Sequence, residues 1–213
     1  MIIDNIKKTP GFWWFLILED QLLPITVDQV VAYHLAPGKD ISSTDLEKLI
    51  NESFFYKSKL YCLYQLGLSP KSKKILIRKL KLKISNYLIK YPLYHQVTDQ
   101  NLVIEKIVDD LESQKLFNEA DYVSQLINRH HRLSRQAIIA KLRQNGVDIN
   151  QYRSLINQVD DSLSINQTLA KKIQTIKDPT SFTAKKRLFD YLVRKGFAYD
   201  EAKKAIDEQL KNS

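Results

Sequence analysis

The sequence predicts a mainly α-helical protein built from tandem three-helix repeat modules in an elongated array, with a small N-terminal β-hairpin extension. Three observations lead to this fold class. Glycine and proline are scarce, at 5 and 6 of 213 residues, and such a composition favours helices over turn-rich β structure. Apolar residues recur with helical spacing from Ser42 onward. One segment within that helical region occurs three times.

The N-terminal extension is expected to cover residues 1–41. Residues 12–18 form a β-prone aromatic run, and after a short turn residues 22–27 return as a second strand. Because a two-stranded hairpin is marginally stable alone, we expect it to pack against a helix. A short helical segment should open at Asp28 and end near residues 36–38. The two tryptophans are expected to pack in the hairpin rather than stack on bases.

An internal repeat defines the modules. Segments 72–80, 134–142 and 184–192 align without gaps, and each carries two aliphatic residues four positions apart. A helical stretch precedes and follows each copy, so the repeat is a three-helix unit that buries more apolar surface when stacked on its neighbours. The breaks between helices predict blocks of about a dozen residues. The expected modules are module 1 (residues 42–111), module 2 (residues 112–160) and module 3 (residues 161–213).

The charge distribution predicts an anionic partner, either nucleic acid or an acidic protein surface. The formal net charge is +9, and a strong basic balance favours such partners. From Ser53 to Thr98 there is no aspartate or glutamate, and bases cluster again from Arg129 to Arg143. Four bases on the second helix of module 1 follow helical spacing and predict a basic stripe. The predicted contacts with a filament or nucleic acid are Lys71, Lys74, Arg78, Lys81, Arg129, Arg132, Arg135, Lys141 and Arg143.

The sequence shows no residue pattern for catalysis, for cofactor binding or for a metal site. Its glycines are isolated, so no phosphate-binding loop is predicted. His130 and His131 are adjacent on a predicted helix, where their side chains point about 100° apart and do not chelate one ion. Cys62 lies in an apolar setting and is expected to be a buried small hydrophobe. We therefore expect a non-enzymatic protein, monomeric and cytoplasmic, without a membrane-spanning segment.

Several short motifs, taken in order, resemble the RecX family. Residues 117–123 (Phe-Asn-Glu-Ala-Asp-Tyr-Val) are similar to the family's central acidic-aromatic helix start. Residues 132–147 resemble the basic helix and glycine turn that follow it. Residues 192–197 are similar to the family's C-terminal Gly-Phe signature, and residues 35–39 fit its longer members. The resemblance covers roughly residues 12–210.

The resemblance implies a bacterial regulator that lodges in the groove of a filament of the recombinase RecA on single-stranded DNA, where it restrains strand exchange and ATP hydrolysis. The chain departs from the family in two places. Module 1 is longer and more basic, and the family's glycine before the central basic helix is replaced near Leu133 and Ser134. The residues themselves also allow a stand-alone DNA-binding protein whose three-helix units present a recognition helix to the major groove of duplex DNA.

Overall fold

The computed structural model describes residues 1–211 and divides the chain into two compact units. Unit 1 comprises residues 1–69 and 75–117, and unit 2 comprises residues 70–74 together with the chain from Asn118 onward. Ten α-helices and one small sheet occur within residues 1–211. The predicted class, mainly α with a small N-terminal β-hairpin, is confirmed.

The sheet of unit 1 has three antiparallel strands in the order β1 (Asn5–Lys7), β2 (Trp14–Leu18) and β3 (Gln21–Ile25). Strands β2 and β3 form the predicted hairpin, and its two-residue turn places Glu19 and Asp20 at positive φ, as a tight hairpin turn requires. Strand β1 was not predicted. Its three residues are too few for the alternation of apolar and polar side chains that identifies a strand.

The hairpin packs on helices, as expected. Leu16 and Leu23 lie opposite each other in the sheet and are fully buried. They share one core with Leu49, Ile50 and Phe54 of the following long helix. Burial of the inner face of the sheet against this helix stabilises an element that would be marginal alone.

Unit 1 also contains the helices α1 (Val27–Ala32), α2 (Ser43–Leu68), most of α3 (Lys73–Lys90), and α4 (Gln100–Ser113), with a 3-10 helix at Pro92–Gln96. The expectation of helices about a dozen residues long is wrong here, since α2 has 26 residues and α3 has 18. No glycine or proline interrupts α2 before Gly67, and Ser42 caps its start by accepting a hydrogen bond from the Asp45 amide at 3.0 Å.

Unit 2 contains the remaining six helices, which are α5 (Glu119–Arg129), α6 (Arg135–Gln144), α7 (Arg153–Asn157), α8 (Asp161–Ile173), α9 (Phe182–Arg194) and α10 (Tyr199–Lys211). Helices α5–α7 surround one hydrophobic cluster and α8–α10 surround another. The repeat predicted which side chains enter these clusters. Its aliphatic pairs are fully buried in all three copies, at Leu76 and Leu80, at Ile138 and Leu142, and at Leu188 and Leu192.

The repeat also carries a recurring pair of hydrogen bonds, here called the inter-module joint. In unit 2, the Ser134 hydroxyl donates to the Gly196 carbonyl at 2.6 Å. The next amide, of Arg135, donates to the Asp161 carboxylate at 2.6 Å. Asp161 is the first residue of α8, so a carboxylate at a helix start also meets the positive end of that helix dipole.

The same joint occurs one repeat earlier among residues of unit 2. The Ser72 hydroxyl donates to the Asn145 carbonyl at 2.7 Å, in the turn that contains Gly146. The Lys73 amide donates to the Glu119 carboxylate at 2.8 Å, and Glu119 is the first residue of α5. The division of the chain into an extension and three modules remains a prediction, but this joint recurs at the period of the repeat.

Candidate anion-binding site

Six of the nine predicted contact residues have exposed side chains, and three do not. Arg135 and Lys141 are half-buried, and Lys71 is buried, with 8% of its surface exposed. Arg78 and Lys81 belong to unit 1, whereas the other seven belong to unit 2. The exposed residues are Lys74, Arg78, Lys81, Arg129, Arg132 and Arg143.

The predicted stripe on the second helix of module 1 is wrong at its N-terminal end. Helix α3 begins at Lys73, so Lys71 precedes the helix and its side chain is buried rather than presented to a partner. The Lys74 ammonium donates to the Gln144 carbonyl at 3.2 Å, at the C-terminal end of α6. Lys74 therefore neutralises a helix terminus inside unit 2. The side chains of Arg78 and Lys81 are exposed, as the predicted basic stripe requires.

Arg135 has a structural role that the sequence did not reveal. Its guanidinium donates to the Val159 carbonyl from Nε at 3.1 Å and from a terminal nitrogen at 2.5 Å. Val159 lies between α7 and α8, where its carbonyl has no partner within a helix. The side chain of Arg135 thus stabilises the connection between α7 and α8. Its backbone amide takes part in the inter-module joint.

Replacing Arg135 with alanine should lower the free energy of unfolding by about 1–2 kcal/mol, because two hydrogen bonds from a charged group to a partly buried carbonyl are lost. Chemical denaturation followed by circular dichroism measures the change. Arg143→Ala is the matched control, because Arg143 is exposed on the same helix and its loss should cost less than about 0.5 kcal/mol. Equal stability of the two variants would contradict the structural role of Arg135.

Arg129 and Lys141 converge on one pocket of unit 2, between α5 and α6. The pocket has a volume of about 190 Å³. The residues that line it are Tyr122, Gln125, Leu126, Arg129, His130, Lys141, Gln144 and Asn145. This lining combines two cations with amide side chains and contains no carboxylate, which is the donor set that a phosphate or a carboxylate ligand needs.

The charge of this pocket at neutral pH comes from arginine and lysine. Burial lowers the pKa of His130 below its ordinary value, and the nearby charges of Lys141, Arg129 and Lys195 lower that pKa further. The lowered pKa favours the neutral form of His130. The lining of the pocket is cationic and contains no acid.

Sequence reasoning found Arg129 and Lys141 but missed Lys195 and the role of His130. Lys195 lies in the expected module 3, and the fold places it near His130 at the end of α5. One signal was present. Lys195 immediately precedes Gly196, and the carbonyl of Gly196 accepts the hydrogen bond from Ser134 in the inter-module joint. No helix within residues 1–211 is long and apolar enough to cross a membrane.

Comparisons with known proteins agree with this architecture. A family model described as RecX, third three-helix domain, matches residues 164–206, within the expected module 3. A regulatory protein RecX from Streptococcus mutans is 26% identical across 98% of this chain and 77% of its own length. Another from Clostridioides difficile is 22% identical across 88% of this chain and 84% of its own length.

Solved structures show the same fold. A crystal structure of regulatory protein RecX superposes with a TM-score of 0.62 at 14% identity, covering 100% of this chain and 99% of the other. A crystal structure of RecX from Lactobacillus salivarius gives a TM-score of 0.53 at 18% identity, covering 74% of this chain and 97% of the other. The resemblance of this chain to the RecX family is thus confirmed by its sequence relatives, by its C-terminal three-helix domain and by its fold.

Proposed function

We propose that this protein is a non-enzymatic, cytoplasmic regulator that binds the RecA–single-stranded-DNA filament and lowers its ATP hydrolysis and strand exchange. The names of the relatives support a RecX regulatory role. The single observation that carries the proposal is the pocket of unit 2, where Arg129 and Lys141 converge without an acid in the lining. A filament that contains DNA is rich in the phosphate and carboxylate groups that such a site binds.

The electrostatics of this pocket favour a polyanionic partner over a small neutral ligand. Arg129 offers a planar fork of donors that matches phosphate or carboxylate oxygens, and Lys141 adds a second cation. Both belong to helices held by buried aliphatic residues, so the helices that carry them are in place before binding. Affinity for a polyanion should fall steeply as salt rises, because bound counterions are released on association.

The test is RecA ATP hydrolysis on single-stranded DNA, with this protein titrated in at substoichiometric amounts, together with co-sedimentation of the filament. The wild-type protein should lower the rate and pellet with the filament. Arg129→Glu combined with Lys141→Glu should weaken the inhibition at least about tenfold, since each reversal replaces an attraction by a repulsion.

The matched control is Lys203→Glu combined with Lys211→Glu, which makes the same change in net charge on α10. Both control residues are exposed, and their reversal should leave inhibition within about twofold of wild type if only local charge matters. Equal loss in the two double variants would remove the pocket from the proposal. No effect of the wild-type protein on ATP hydrolysis, together with binding to bare duplex DNA, would favour the stand-alone DNA-binding function.

A further inference from the structure

Three lysines of unit 1 converge on two tyrosine rings, and this group is here called the lysine–tyrosine cluster (Lys57, Lys83, Lys90, Tyr87 and Tyr91). The Lys57 ammonium lies 5.5 Å from the centroid of the Tyr87 ring and 5.3 Å from that of Tyr91. Lys83 approaches the Tyr87 ring at 5.4 Å, and Lys90 approaches the Tyr91 ring at 5.5 Å. All five residues are provided by α2, α3 and the residue that follows α3.

An indole ring extends this cluster. The Lys57 ammonium lies 4.2 Å from the centroid of the Trp13 ring, beside strand β2. Trp13 and Tyr87 are half-buried, so each ring retains a surface that solvent reaches. Tyr91 is buried and packs edge-on against Tyr94 in the core at 5.5 Å between ring centroids. Tyr87 and Tyr91 are therefore anchored in the core of unit 1.

No carboxylate compensates the three lysines. The sequence has no aspartate or glutamate between Ser53 and Thr98. None of the ion pairs found among residues 1–211 involves these lysines. By contrast, Lys59 of the same helix α2 pairs with Asp110 at 2.6 Å. Burial, together with the nearby charges of Lys90 and Lys83, lowers the pKa of Lys57 to about 8.

The buried charge of Lys57 opposes folding, and the rings that it contacts offset part of that cost. The pKa of Lys57 is lower in the fold than in the unfolded chain, so the unfolded chain holds more protons between pH 8 and lysine's ordinary value. The contribution of Lys57 to stability therefore rises with pH across that window and is least favourable below it. These three lysines have no acidic partner among residues 1–211, so an external anion would stabilise the surface that they form.

We propose that the lysine–tyrosine cluster and Trp13 form a binding surface for single-stranded nucleic acid, with phosphates on the lysines and a base stacked on the indole. Phosphate-binding cations interleaved with aromatic rings are the combination that single strands require. A duplex hides the faces of its bases, and an acidic protein surface has no need of an aromatic stacking group. This surface lies in unit 1 and goes beyond the proposed function, because it requires no recombinase.

The experiment measures binding of the full chain to an oligothymidylate of about 16 nucleotides, by fluorescence anisotropy of the labelled strand and by quenching of tryptophan fluorescence. The wild-type protein should bind this strand more tightly than a duplex of equal length, with quenching. Lys83→Glu combined with Lys90→Glu should reduce affinity at least about tenfold. Trp13→Leu should reduce it about tenfold while leaving the net charge unchanged.

Controls separate this surface from the pocket of unit 2. Phe182→Ala removes another exposed aromatic ring and should leave the affinity unchanged. Arg129→Glu combined with Lys141→Glu should lower the affinity for oligothymidylate clearly less than Lys83→Glu combined with Lys90→Glu, although it abolishes inhibition of the recombinase. Lys57→Met, which removes the buried charge without opening a cavity, should weaken binding in a protein at least as stable as wild type.

Three results would overturn the proposal. The first is equal affinity for the single strand and the duplex, which would indicate phosphate binding alone. The second is unchanged affinity in the Lys83 and Lys90 double variant, or loss of binding only when Arg129 and Lys141 are reversed. The third is competition by polyglutamate as effective as that by unlabelled oligothymidylate, which would indicate an acidic protein partner instead.

Discussion

Replacing Gly196 with alanine should lower the free energy of unfolding by about 2–4 kcal/mol, which is the largest effect expected of a single methyl group in this chain. Gly196 has a φ of +89°, in the left-handed region that side chains rarely adopt. A Cβ at this position would also lie 2.7 Å from both the Ala137 Cβ and the Ser134 hydroxyl. Neither neighbour is the far end of a flexible side chain, so the backbone itself has to move.

Urea denaturation followed by circular dichroism measures this loss, and amide hydrogen exchange in α6 and α9 locates it. Gly67→Ala is the matched control. Gly67 lies in α2 with no atom within 4 Å of the added Cβ, so alanine there should raise stability by about 0.5–1 kcal/mol through helix propensity. The two changes should have opposite signs, and a loss below about 0.5 kcal/mol for Gly196→Ala would contradict the close approach.

Replacing Ser53 with alanine should cost about 2–3 kcal/mol, because a fully buried hydroxyl joins two elements of unit 1. Ser53 of α2 donates to the Pro24 carbonyl of β3 and lies 2.7 Å from the Tyr94 hydroxyl. The pKa of Tyr94 is raised above its ordinary value, chiefly by burial. The phenol of Tyr94 therefore stays neutral at all ordinary pH values. Replacing Ser53 with alanine removes the hydroxyl with which this phenol pairs.

A double-mutant cycle with Tyr94→Phe tests this account. Tyr94→Phe alone should cost less, about 1 kcal/mol, because the Ser53 hydroxyl keeps its bond to Pro24. The double variant should be less destabilised than the sum of the single variants, since removing both polar groups leaves neither one buried without a partner. Exact additivity in urea denaturation would show that the two hydroxyls do not interact.

The periodic features of the fold could be predicted from the sequence because they depend on local spacing. The aliphatic pairs of the repeat identified fully buried residues in all three copies, such as Ile138 and Leu142. Helix lengths were predicted less well, because α2 and α3 continue as long as no glycine or proline ends them. Strand β1 was missed because its pairing partner, β2, lies beyond a loop, and three residues carry no periodic signal.

The candidate site was predicted only in part, since composition identifies a base but not its partner. Arg129 and Lys141 were found because they are cations in a basic region. Arg135 was assigned to the same surface, but its guanidinium binds the Val159 carbonyl through a long-range contact. Lys71 was placed on a helix that begins two residues later. Such contacts depend on the packing of modules, which no local pattern encodes.

The inter-module joint gives the repeats a direction. Its donors lie at the beginning of α3 and of α6, and its acceptors lie in the expected module that follows each of these helices. The position equivalent to Ser72 and Ser134 in the third copy is Ala184, whose methyl group donates no hydrogen bond. The third copy of the repeat therefore accepts this bond at Gly196 but has no hydroxyl at the donor position. The third copy of the repeat thus differs from the first two, and a rearranged chain with this copy in an earlier position would leave the next glycine-turn carbonyl without its donor.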